Sequence, residues 1–167
     1  MTHVELADPM NIDLDRKLHE FTRRDEELTR QAGEQFSEML PRIAARLEAD
    51  DASAAEVLSD GGFFINDSTV VMRLNAENDH IEFFCDVGLP AAHSQEDAYR
   101  VALELNLCRT YPGIILGVHP ESRRLVATLS THQMMASDDE ACMGILQMLT
   151  LQVNRLRASG VISFQVD

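Results

Sequence analysis

The chain predicts an α+β fold with an antiparallel sheet, and three observations carry that expectation. Some stretches alternate apolar and polar residues at period two, as strands do (VVMRLN, IEFFCDVG). Others repeat apolar residues at three- and four-residue spacing, as helices do (FSEMLPRIAARL, EDAYRVALELNL). The alternating stretches are joined by short polar turns (NDS, NAEND, HPESR), which favours hairpins over crossovers. At 167 residues, one domain with a tail is expected.

Taken in order, residues 1–11 read as irregular. From Ile12 to about Leu47 the pattern is helical. Leu14, Leu18, Phe21 and Leu28 make a loose stripe among charges, and Phe36, Met39, Leu40, Ile43 and Leu47 make a tight one. Pro41 lacks an N–H and clashes with the preceding turn, so it should kink this helix or begin its second half. Residues 49–62 are rich in Asp, Ala, Ser and Gly and read as a linker. Three strands follow: Phe63–Asn66, one with Val70, Met72 and Leu74 on one face, and one with Ile81, Phe83, Cys85 and Val87 on one face. Short turns make them a meander, which Pro90 ends. Ser94 with Asp97 predicts a loose capping box for a helix over 95–108. Ile114–Val118 and Leu125–Ser130 form a hairpin. Ser137, with Glu140 after it, should cap a last helix that runs to about Ala158, and Gly160 suits its stop. The ending VISFQV alternates like a strand. The expected organisation is an extension over 1–30, partly helical or flexible, a domain over 31–159 and a strand-like tail over 160–167.

The middle helix is apolar on more than one side. Ala98, Val101, Ala102 and Leu105 form one stripe, and Tyr99, Leu103 and Leu107 form a second. Packing on a sheet needs only one stripe, so the second points to burial against another subunit.

Composition narrows the function. The 28 acidic and 14 basic residues give a formal charge of −14. That argues against a nucleic-acid backbone or an anionic membrane as partner. No apolar run approaches the roughly 18 residues that a membrane helix needs, and the first residues lack the charged start and apolar core of a secretory signal. Cys85, Cys108 and Cys142 are widely spaced, odd in number and set among apolar residues, as expected of small core hydrophobes in a reducing cytoplasm. The six histidines form no ligand pair, there is no CxxC, and no phosphate loop or nucleophile elbow occurs. Asp138, Asp139 and Glu140 read as the acidic first turn of the last helix. Neither an enzyme nor a metal- or cofactor-binding protein is expected.

The order helix, three strands, helix, two strands, helix resembles the class I type III secretion chaperones, the CesT-like (Tir chaperone) family. FSEMLPRIAARL matches as the first helix and GGFFINDSTVVMRLNAENDHIEFFCDVG as the meander. EDAYRVALELNLCRTYPGIILGVHPESRRLVATLS matches as a leucine-rich helix ending near an Asn, here Asn106, followed by a Gly-containing strand and a second strand. The likeness covers about residues 34–158. The first 30 residues exceed the usual family start, and VISFQV has no clear counterpart. The resemblance implies a cytoplasmic, non-enzymatic homodimer. It would hold the N-terminal region of one or more secreted effectors as an extended chain and keep it soluble, with the secretion ATPase as a further partner. Dimerisation through the middle helix and adjoining strand would use Tyr99, Val101, Ala102, Leu105, Ile114 and Leu116.

Phe63, Phe64 and Ile65 are consecutive and cannot share one face, and Phe84 lies between Glu82 and Asp86. Either the first helix covers these odd-parity residues, or they belong to a groove. The groove expected would be lined by Phe36, Met39, Ile43, Phe63, Phe64, Ile65, Val71 and Phe84 and would take effector by strand addition and apolar docking. Met134 and Met135 are expected to be accessible, and Met143 and Met148 to be core. Two other readings remain: a regulatory or scaffolding protein of the same fold, and a small enzyme or ligand-binding domain with an unrecognised apolar pocket.

Overall fold

The structure, a computed structural model, describes residues 9–49, 57–58, 62–136 and 138–165. Among the described residues, four helices and a six-stranded antiparallel sheet make up the fold. Helix α1 spans Pro9–Ala49, and strands β1 (Val57–Leu58), β2 (Gly62–Ile65), β3 (Ser68–Asn75) and β4 (His80–Gly88) follow. A single 3₁₀ turn leads into α2 (Gln95–Leu107). Then come β5 (Ile114–Val118), β6 (Leu125–His132), the short α3 (Gln133–Ala136) and α4 (Asp139–Ala158). The strand order is β1-β2-β3-β4-β6-β5. The α+β meander–helix–hairpin–helix order expected from the sequence is the order found.

One face of the sheet makes the core. Strand β4 alternates without a break: Ile81, Phe83, Cys85 and Val87 are buried, and the residues between them are not. The same parity buries Phe63 and Ile65 on β2, Val70 and Met72 on β3, and Leu125, Ala127 and Leu129 on β6. Against this face lie Met39, Ile43 and Leu47 of α1 and Cys142, Leu146, Leu149, Val153 and Leu156 of α4. An Arg42–Asp139 ion pair ties the two helices. Arg157 of α4 fastens the helix to the sheet. Its guanidinium donates to the backbone oxygens of Asp67, Asp86 and Val87, and to Ser68 Oγ and Asn154 Oδ1. Among the described residues no buried side-chain nitrogen or oxygen lacks a partner.

Several local expectations are corrected. Helix α1 begins by Pro9 and continues through Pro41 as one element. Pro41 is exposed, so the Ser37 carbonyl that loses its N–H partner is left on the solvent side, where water can satisfy it. The stretch read as a linker contains β1; its residues 50–56 and 59–61 lie outside the described residues, as do residues 1–8. Ser94 makes no capping bond, because the 3₁₀ turn Ala92–Ser94 directs its hydroxyl back to the Ala91 oxygen. Asp138 caps α4, accepting from the Glu140 N–H; Ser137 lies outside the described residues. At the other end Gly160 adopts φ +68°, the left-handed geometry of a helix stop.

The tail is not a regular strand. Ile162 is buried in the core, and Phe164 forms one antiparallel bridge with Pro90.

Candidate functional site

The face of the sheet opposite the core has no second layer among the described residues. Its side chains are those of the other parity: Phe64, Thr69, Val71, Arg73, Phe84, Asp86, Ile115, Val126 and Thr128, all half-buried or exposed. Strand register builds an apolar row across it. Val71 pairs with Phe84, Phe84 with Thr128, and Thr128 with Ile115, so four strands contribute side by side. Three strand spacings give that row a width of about 14 Å.

The row is flanked by charge that is already organised. Arg73 lies over the Phe84 ring, 5.8 Å from its centroid, a cation–π geometry. Arg124 grips Asp86 through two parallel bonds, Nε to Oδ1 at 2.9 Å and Nη2 to Oδ2 at 2.7 Å. These groups with Val71, Phe84 and Val126 line a shallow trough of about 430 Å³. It shares Thr69, Asp86 and Arg124 with a second trough of about 560 Å³ that runs from Phe64 to Phe164 of the tail.

Beyond β5 the surface continues onto α2. Asn106 faces the edge of β5 squarely. Its Nδ2 donates to the Leu116 carbonyl and its Oδ1 accepts from the Leu116 N–H, both at 2.8 Å. The carboxamide thus stands in for a neighbouring strand. At about 100° per residue, Ala98 and Ala102 lie to one side of Asn106, where they are buried in the core. Leu103 and Leu107 lie about 60° and 100° to the other side, towards the open face. They are 68% and 84% exposed, and Ile115 of β5 is 63% exposed. Isolated exposed apolar residues are ordinary, but a continuous run of them marks an interaction surface.

The residues expected to form the effector groove are divided between two faces. Phe64, Val71 and Phe84 share the open face. Met39, Ile43, Phe63 and Ile65 are in the core, so they are not available to a partner, and Phe36 is half-buried against that core. The first helix therefore does not cover Phe84; it packs on the side of Phe83. The expected dimer residues divide in the same way. Ala102, Ile114 and Leu116 are buried within the chain, because they face the core across the α2–β5 contact. Tyr99, Val101 and Leu105 are half-buried against the core, and the Tyr99 hydroxyl donates to the Arg123 oxygen. Leu103 and Leu107 are legible in the sequence as a second helical stripe, whereas Ile115, Val126, Arg73 and Arg124 join the site only through the fold. Their signal was parity: each belongs to the strand face that the core does not use.

Met134 and Met135 are exposed, Met143 is buried and Met148 is half-buried. Among the described residues no three His, Cys, Asp or Glu side chains converge as metal ligands, and no helix is long and apolar enough to cross a membrane.

No family model matches the chain, and no curated protein matches it. Solved structures similar to it include the HopA1–SchA chaperone–effector complex, at 13% identity and a TM-score of 0.48, covering 74% of this chain and 94% of that one. The ExsC–ExsE complex is similar at 13% identity and a TM-score of 0.46, with 70% and 89% covered. The heterodimeric ExoU–SpcU complex from the type III secretion system of Pseudomonas aeruginosa is similar at 17% identity and a TM-score of 0.42, with 69% and 92% covered.

Proposed function

We propose that this protein is a homodimeric secretion chaperone that holds an extended, apolar segment of a type III effector against its open sheet face. The observation that carries the reading is that face: a sheet packed on one side only, with Phe64 and Ile115 exposed and Val71, Phe84 and Val126 half-buried on the other. A protein that needed the sheet only for its own stability would bury both sides or make the second one polar. The residue pattern over about 34–158 that resembles the class I secretion chaperones supports the same reading.

The surface suits an extended protein segment better than a small molecule. Small-molecule sites are concave and enclosed, whereas these troughs are long, shallow and open. Apolar rows set against fixed charges offer pockets for alternate side chains. The formal charge of −14 keeps the chaperone soluble and favours segments that are basic. Self-association would use Leu103, Leu107 and Ile115, the side-chain stripe beyond the sealed β5 edge, instead of joining two β5 edges into one sheet.

Two measurements test the reading. Light scattering on the purified chain should give twice the monomer mass, and a monomer at micromolar concentration contradicts the dimer. Capture from the bacterium that makes the protein, followed by mass spectrometry, should recover secreted proteins bound through their N-terminal regions. Recovery only of folded metabolic enzymes, or of nothing above background, contradicts the chaperone role.

A further inference from the structure

The chain's own C-terminal residues sit where an added strand would sit. After the stop at Gly160 the chain turns back, buries Ile162 and lays residues 163–165 antiparallel to Leu89–Ala91. Two backbone bonds hold it: Ala91 N–H to the Ser163 oxygen at 2.9 Å and Gln165 N–H to the Leu89 oxygen at 2.8 Å. Gln165 Nε2 adds a bond to the Pro90 oxygen. Pro90 and Phe164 face each other at the non-hydrogen-bonded position between those two bonds. A proline is tolerated there because its missing N–H has no role. Phe164 lies on Gly88, at φ +131°, where a Cβ would come within 3.0 Å of the ring. The glycine therefore makes room for an aromatic ring on that spot.

This segment and Phe64 of the open face both line the larger trough. At one end of the sheet the outer edge of β5 is sealed at Leu116 by Asn106; at the other end the edge strand β1 is only two residues long and pairs with Gly62 and Phe63 of β2. The Leu89–Ala91 backbone is a strand-addition site next to a trough of mixed polarity, and it is closed by a short segment held through a single bridge.

Resting on the chaperone reading above, we propose that residues 163–165 are a displaceable stand-in for the client. The site would take an extended segment with an aromatic residue at the Phe164 position, which exchanges with the tail. Ile162 stays in the core as the anchor, and the hinge is the exposed stretch between Gly160 and Ile162.

The test uses the full chain and a probe that needs no effector: a fluorescein-labelled synthetic peptide with the sequence of residues 160–167, GVISFQVD. In the full-length variant Phe164→Ala/Gln165→Pro the ring and the donor to Leu89 are gone, and Ile162 is kept. Freeing a site that the tail fills most of the time should tighten peptide binding, read by fluorescence anisotropy, by at least about tenfold over the unmodified chain. Equal affinity for the two chains, or no binding to a variant that circular dichroism shows to be folded, overturns the proposal. Should that variant not fold, hydrogen exchange on the unmodified chain decides. The amides of Ala91 and Gln165 should exchange well before those of β4, as local opening requires; exchange together with β4 overturns the proposal. A negative peptide result with effector still captured would reject the tail mechanism and leave the chaperone reading standing.

Discussion

Asn106 closes the edge of β5, and replacing it tests how α2 and the sheet are joined. In Asn106→Leu the side chain keeps its size but loses both polar atoms, and the Leu116 N–H and carbonyl lose partners at 2.8 Å each. Leu116 is buried and Asn106 half-buried, so water replaces those partners poorly. Each lost bond has a net worth of about 1 kcal/mol, and leaving a buried group unpaired adds to it. A loss of about 2–4 kcal/mol is therefore expected. For a domain of this size that lowers the melting temperature by about 5–12 °C. Urea unfolding at fixed protein concentration reads the free energy, and calorimetry reads the temperature. Asn106→Asp keeps the acceptor for the N–H but sets a carboxylate against the carbonyl, so it should not rescue stability. A change below about 0.5 kcal/mol in Asn106→Leu, the range of surface substitutions, would refute the argument. The variant should also associate more with rising concentration, since its strand edge is open.

Three further outcomes follow from the packing. Leu103→Asp should give a folded monomer by light scattering with a melting curve close to the isolated protomer's; a persistent dimer would remove the α2 stripe from the interface. Arg157→Met deprives three backbone oxygens of a charged donor and should cost about 2–4 kcal/mol in urea unfolding; no loss would mean that α4 is held by its apolar face alone. Burial pushes the Cys85 and Cys142 thiols up to about 12, so neither is a thiolate at pH 8, whereas Cys108 is exposed. A thiol reagent at that pH should label Cys108 in the folded chain and all three cysteines in denaturant. The sign for stability follows: these thiols ionise more readily when unfolded, so stability should fall as pH rises from about 9 towards 12. Rapid labelling of Cys85 in the native chain would contradict its place in the core.

The sequence was most legible where one face alone is buried. Alternation in HIEFFCDVG placed Ile81, Phe83, Cys85 and Val87 inward, and no other register would bury them. The same alternation flagged Phe64 and Phe84 as residues of the wrong parity, and both lie on the open face. What it could not supply was which layer covers which side. Phe36, Met39 and Ile43 were assigned to the groove because helical spacing shows an apolar stripe but not the sheet face it meets. Ile114 and Leu116 were assigned to the dimer because apolar content does not separate the two sides of β5; only Asn106, bonded to the strand edge, fixes them. Caps were legible as a composition and not as geometry, since Ser94 and Asp138 each sit among several oxygen-bearing neighbours.

The central claim is that Phe84 faces a partner and not the protein's own core. Phe84→Asp measures this most directly when capture of effector and thermal unfolding are read on the same preparation. The account predicts loss of capture with the dimer intact and the melting temperature lowered by no more than about 3 °C, as for a change on an uncovered face next to Arg73. A collapse of stability, which an unpaired carboxylate buried in the core would cause, or undiminished capture by the variant would contradict it.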